Sequence, residues 1–402
     1  MMKWRLRLMM LFEYAIWGAW YVTVGTWLGQ TLHFSGKEIG AIAGTTAIGA
    51  MISPLFVGLL ADRLFDTRRV LAALHVLGAV LLMFAARQSS FPLLYGTLLA
   101  YSLCYMPTLA LTTSLAMRHI RDPQEEFGGI RVLGTIGWIV VGLIVGAWGV
   151  EATATPLHLA AVLSVVTALY CLTLPPTPPL ARNQRFEIRH ALPLESLHLL
   201  RDRSMAVFAL ASFLICIPLQ FYYAFTNLFL NEVGVVNAAG KMTGGQMSEI
   251  LCMLLIPWFF RRLGVKYMLA VGMLAWVLRY VLFAFGAPGD LMWMLWLGIV
   301  LHGICFDFFF VVGQIYIDRE APSALRAATQ GLITFLTYGL GMFVGSWLSG
   351  VVVDTYAGAQ NAHDWRSIWL IAGGCAAAVL VLFVLAFKDR RSAAGQPVAV
   401  AD

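Results

Sequence analysis

Apolar runs long enough to cross a bilayer as helices of ~20 residues follow one another along this chain, separated by short polar breaks. The pattern predicts spans 1–6 at 9–31, 38–60, 70–87, 91–117, 127–149 and 157–175. After a longer break it predicts spans 7–12 at 204–230, 242–260, 266–287, 291–317, 325–353 and 366–387. The break opens with Pro175-Pro-Thr-Pro-Pro179, too stiff and donor-poor for a helix interior. It ends on HALPLESLHLLRD, an amphipathic pattern suited to a helix lying along the membrane surface. The expected fold class is all-α: a six-helix bundle over 1–175, a linker over 176–203 and a second six-helix bundle over 204–402. Paired bundles of this kind hold a site near the bilayer midplane and work by alternating access.

Polar positions inside the spans fall into stripes. Leu301 to Tyr316 holds one carboxylate, Asp307, with Phe310 and Gln314 at i+3 and i+7 and His302 and Phe306 beside it. Span 1 carries Glu13, Trp17 and Trp20 at helical spacing, and span 5 carries Arg131, Thr135 and Trp138. Span 7 contributes Gln220, Tyr223 and Asn227, and span 8 contributes Gln246 and Glu249. Lipid cannot satisfy such stripes, so they must face protein or water. They are expected to converge on one polar cavity, with Arg131 paired to a carboxylate. Blander readings stand beside this one. Glu13 lies about one turn inside the end of span 1, where a long acid can snorkel. Arg279 reads as a structural pair, and His75 and His158 as packing or interfacial residues. The glycines of span 5, Gly134, Gly137, Gly142, Gly146 and Gly149, read as sites of close helix packing.

Composition supports the membrane reading. Hydrophobic residues make up 60% of 402 and charged residues 12%, with a mean hydropathy of +0.79. Soluble domains carry about 25% charge, so no large aqueous domain fits. The net charge of +6 does not indicate a nucleic-acid partner, because the basic residues are spread through short loops. Nearly all of them fall on the side of the termini, with only Lys37, Arg87, Lys241 and Arg366 in the opposite connections. Both termini are therefore expected in the cytoplasm. The first apolar run lacks a small-residue cleavage site and reads as a retained span. The six cysteines lie inside apolar runs without a C-x-x-C pair and read as buried free thiols. No H-E-x-x-H, G-x-S-x-G or ligand cluster suggests an enzyme. No cofactor or metal is implied, and a monomer is expected.

The loop after span 2, Gly58-Leu-Leu-Ala-Asp62-Arg63 followed by Arg68 and Arg69, resembles the major facilitator loop signature. Span 5 lacks the Gly-Pro pair of major facilitator antiporters, which points away from drug efflux. Other stretches resemble the bacterial nucleoside:proton symporter family. They are Trp17-Gly-Ala-Trp20, Tyr105-Met-Pro-Thr108, Ile130-Arg131 with Gly134-Thr-Ile-Gly137, Ser248-Glu249, Trp276-Val-Leu-Arg279 and Phe306-Asp-Phe-Phe309. The resemblance implies a twelve-span fold and proton-driven nucleoside uptake across the cytoplasmic (inner) membrane. It implies a substrate site of Arg131, Thr135, Gln220, Gln246, Glu249, Phe306 and Asp307, with Trp138 at an aromatic position. Neighbouring Tyr223, His302 and Phe310 join the candidate set. Proton-coupling candidates are Asp307, Glu249 and Glu13. The chain departs from the nucleoside permeases where Tyr223 and Phe310 replace amides, His302 replaces a Tyr and Glu13 replaces a Gln. A lost buried hydrogen bond costs ~1–3 kcal/mol, so a nucleoside-like glycoside, sugar or polyol is an alternative cargo. A non-transporting membrane sensor is a further alternative.

Overall fold

The computed structural model describes residues 2–56, 61, 64–179, 194–358 and 362–389. Over its described residues, each predicted span lies on a helical segment. Among the described residues no strand forms beyond an isolated bridge between Ala357 and His363. Nine of the described helices are long and apolar enough to cross a membrane, and one of them, Ala238–Phe285, contains two predicted spans. It is broken at Gly264, with φ 67° and ψ 179°. This is where the sequence places Arg261, Arg262 and Lys266 between spans 8 and 9.

Local chemistry sets several helix ends. Asp66 caps Thr67–Ala85 by accepting from the Arg68 backbone N–H at 3.0 Å. Its other oxygen accepts from the Thr177 N–H at 3.0 Å, and Arg68 donates to the Leu174 carbonyl at 3.0 Å. These contacts tie the start of span 3 to the end of span 6. The Gly58–Arg63 part of the loop signature lies outside the described residues, apart from buried Ala61. The same is true of 180–193 in the linker. The described part of the amphipathic stretch is a 3₁₀ helix, Leu194–Arg201, in place of an α-helix. Its Ser196 is buried and accepts from the Thr329 hydroxyl at 3.3 Å.

By packing, the chain forms two compact units. The first comprises Met1–Leu192, Gln220–Thr243 and Tyr338–His363. At the end nearer the N-terminus its core joins Leu6, Met9, Leu71, Leu115, Ile130 and Cys171. Four span 5 glycines make the expected close approaches, to Tyr14, Leu11, Thr243 and Asn237 respectively. Gly149 does not; it has φ +64° and open space around it, and it follows the helix as a left-handed stop.

The opposite end of this unit is joined by polar clasps. Glu151, buried in the turn between spans 5 and 6, accepts from Asn227 Nδ2 at 2.7 Å and Asn231 Nδ2 at 2.8 Å. Its other oxygen accepts from the Ala239 N–H at 3.0 Å. Thr26 donates to Asn227 Oδ1 at 2.6 Å. Asp354 accepts from the Gly36 N–H, and His363 pairs with Glu232 at 2.9 Å.

The second unit comprises Pro193–Leu219, Gly244–Thr337 and Asp364–Asp402. Its core stacks Tyr280 on Trp369 with centroids 5.6 Å apart. The Tyr280 hydroxyl donates at 2.5 Å to the carbonyl of Pro218, inside the helix Arg203–Glu232. Arg279 is fully buried, with its Nε donating to the Gly298 carbonyl at 3.0 Å. Its structural reading thus has a physical basis: the charged hydrogen bond links spans 9 and 10.

Candidate functional site

The sequence-predicted residues fall into two groups, one in each unit. In the first, Arg131, Thr135 and Trp138 share one face of Pro123–Trp148 and are half-buried. Trp138 lies against Gly18 and edge-on to Trp17, with centroids 5.5 Å apart. Trp17 also meets Tyr21 at 5.5 Å, and Tyr21 meets Tyr223 at 6.0 Å. Trp20, expected on the same stripe, is instead fully buried against Tyr101. Gln220 is fully buried beside the Tyr21 hydroxyl. Its amide makes no well-aligned hydrogen bond among the described residues.

Arg131 departs from expectation. Among the described residues no carboxylate pairs with it. Its guanidinium lies over the Tyr14 ring, 3.9 Å from the centroid. The ring's negative face takes the place of an acid there.

Glu13 is fully buried, which overturns the snorkelling alternative. Its Oε2 is 3.1 Å from His75 Nε2, and its Oε1 is 2.5 Å from the Thr108 hydroxyl. The Tyr105 hydroxyl donates to the Glu13 carbonyl at 2.6 Å. His75 is therefore a polar partner of an acid, beyond the packing role its sequence context suggests. His75 and Tyr105 were not identifiable from helical stripes, because each acts across a helix boundary and on a different span.

In the second unit, Glu249 is half-buried and lies 3.9 Å from His302 Nε2. Gln246 is buried one turn before it. The two helices touch at Gly303, which has Ser248 backbone at its face and donates its N–H to Ser248 Oγ at 3.0 Å. His302, Phe306 and Phe310 form an aromatic file, with centroids 5.8 Å and then 5.0 Å apart. Phe310 also meets Trp276 at 6.0 Å.

Asp307 is fully buried, and neither carboxylate oxygen has a hydrogen-bond partner among the described residues. Glu249 is its electrostatic neighbour. The helix passes through a π-helical turn at Asp307–Val311. That wider turn shifts the register beyond Asp307, so Gln314, expected on the same face, is exposed. Its backbone carbonyl accepts from Gln330 Nε2 at 3.0 Å. A buried carboxylate without donors is stable where it carries a proton or meets a ligand's donors. Flat aromatic surfaces beside half-buried hydrogen-bonding groups suit a ligand with a planar ring and several hydroxyls.

A family model described as nucleoside H+ symporter matches residues 1–392. YegT of Escherichia coli is 41% identical, over 96% of this chain and 93% of its own length. The xanthosine permease of the same organism is 32% identical, over 96% of this chain and 95% of its own. A variant crystal structure of the nucleoside transporter NupG superposes with a TM-score of 0.91 at 31% identity. It covers 96% of this chain and all of that one (100%).

Proposed function

We propose, from the premise that this chain belongs to the nucleoside H+ symporter family, that it imports nucleosides together with protons across the cytoplasmic membrane by alternating access. It is a transporter of the major facilitator fold and not an enzyme. The sequence halves 1–175 and 204–402 act as its two repeats, with the linker and both termini in the cytoplasm. It works as a monomer in the lipid bilayer.

The observation that carries this reading is Asp307. It is fully buried in span 10, without a hydrogen-bond donor among the described residues, beside Glu249. Two neighbouring acids repel when both are charged. A proton bound there removes the repulsion and the desolvation cost, and its release on the cytoplasmic side resets the carrier. The substrate is held by complementary chemistry. Trp138, Tyr223, Phe306 and Phe310 offer ring faces for a base. Arg131, Thr135, Gln220, Gln246 and Glu249 offer hydrogen bonds to its edge and to ribose hydroxyls, and His302 positions Glu249.

The test is uridine transport in proteoliposomes. Wild type is expected to accumulate uridine under an inward proton gradient. Asp307→Asn is expected to lose that accumulation but still to exchange labelled for unlabelled uridine. Full gradient-driven accumulation by both Asp307→Asn and Glu249→Gln would remove the roles assigned to these acids.

A further inference from the structure

The proton chemistry above uses spans 8 and 10 of the second unit. The first unit contains another buried acid with a partner on each oxygen, and nothing in substrate recognition uses it. Resting on the symport reading, we propose that Glu13, His75 and Thr108 form a second proton-binding site, built by spans 1, 3 and 4.

The argument is the hydrogen inventory of the cluster. Thr108 Oγ1 lies 2.5 Å from Glu13 Oε1 and 2.6 Å from the Tyr105 carbonyl. A hydroxyl has one hydrogen and two lone pairs, so it can donate to only one of these oxygens at a time. When Glu13 is ionised, Thr108 donates to its carboxylate. When Glu13 is protonated, its O–H donates to Thr108, and the threonine hydrogen turns to the Tyr105 carbonyl. Neither state leaves a buried donor without an acceptor.

The other carboxylate oxygen is served in the same way. His75 Nε2 sits 3.1 Å from Oε2, with both side chains almost completely buried. Neutral His75 protonated at Nε2 donates to the carboxylate, and an imidazolium does the same. If Glu13 carries the proton on Oε2, the bare Nε2 of the other tautomer accepts it. One added proton thus takes the pair from net negative to neutral, whichever of the two residues holds it. The remaining contact, Tyr105 Oη to the Glu13 carbonyl at 2.6 Å, fixes the backbone and is indifferent to the proton. A purely structural tie needs only one of these arrangements; this cluster accommodates both.

The groups around it are few. On span 1 the neighbour is Tyr14, and on span 3 it is His75 itself. On span 4 they are Tyr101 and Tyr105, with Cys104 next to Tyr101, and on span 6 it is Cys171. On span 5 it is Arg131, which interacts with Tyr105 and lies over Tyr14. Arg131 is the only lasting charge in that set.

Proton flux into proteoliposomes, read with an internal pH dye during uridine addition and normalised to each variant's uridine counterflow, tests this. Glu13→Gln is expected to take up fewer protons per uridine than wild type. Thr108→Val keeps the side-chain shape and removes the relay, and it is expected to displace the pH profile of uptake. Wild-type proton uptake per uridine and pH profile in Glu13→Gln overturn the site. If that variant does not fold, an unshifted profile in Thr108→Val overturns it. The symport reading fails separately, if wild type itself takes up no protons with uridine.

Discussion

Trp138 gains its position from what span 1 lacks. A Cβ at Gly18 would meet the indole, so the glycine lets the ring lie flush against the helix, edge-on to Trp17 at 5.5 Å. The ring is half-buried and keeps a face for a base. Base–aromatic stacking is worth ~1–3 kcal/mol by alanine substitution, so Trp138→Ala should raise the uridine Kd by roughly 5- to 150-fold. Isothermal titration in detergent reads this, and Trp138→Phe should recover most of the loss. An unchanged Kd in the alanine variant would separate the ring from the base. At this scale the sequence named the participants better than their partners. Helical counting put Arg131, Thr135 and Trp138 on one face, because spacing along one helix fixes direction. It could not give Tyr14 as the companion of Arg131, or His75 as that of Glu13, because those contacts depend on how neighbouring helices cross.

Two of the departures from regular helix geometry, at Gly264 and at Asp307–Val311, differ in legibility. The break at Gly264 follows from an arginine pair, a glycine and a lysine between two apolar runs. Its backbone, φ 67° and ψ 179°, lies in a region open essentially to glycine alone, where a side chain costs of order 1–3 kcal/mol. Gly264→Ala should therefore lower the Tm of the purified protein. Gly374→Ala is the control. Gly374 is within the helix Trp365–Ala386 and has nothing within 4 Å of its would-be Cβ, so that change should leave the Tm unchanged or raise it slightly. Equal losses in both would mean that the backbone at Gly264 is not the constraint. The π-helical turn at Asp307–Val311 had no such signal. Its residues have ordinary helical φ and ψ preferences, and the extra residue per turn is absorbed by packing around a buried acid, as π-bulges at functional sites often show. That hidden residue turns Gln314 away from the Asp307 face that a regular helix predicts for it.

For the whole molecule, the order and spacing of spans were readable because bilayer thickness fixes how long an apolar run must be. The orientation rests on the distribution of arginine and lysine. It predicts that a fluorescent reporter fused after residue 389 is bright and an alkaline phosphatase fused there inactive, with the reverse for insertions beside Lys241. The opposite pattern would invert the topology. The packing of 220–243 with the first 192 residues was not readable. It depends on partners such as Glu151 and Asn227, which lie far apart in sequence and in segments that carry no shared pattern. The grip on Glu151 has one more consequence. Its holders are two carboxamides and a main-chain N–H, with no lysine or arginine paired to it among the described residues. Mobile ions screen attraction between opposite charges, and here there is no such pair to screen. Brine and fresh water should therefore leave this junction equally firm.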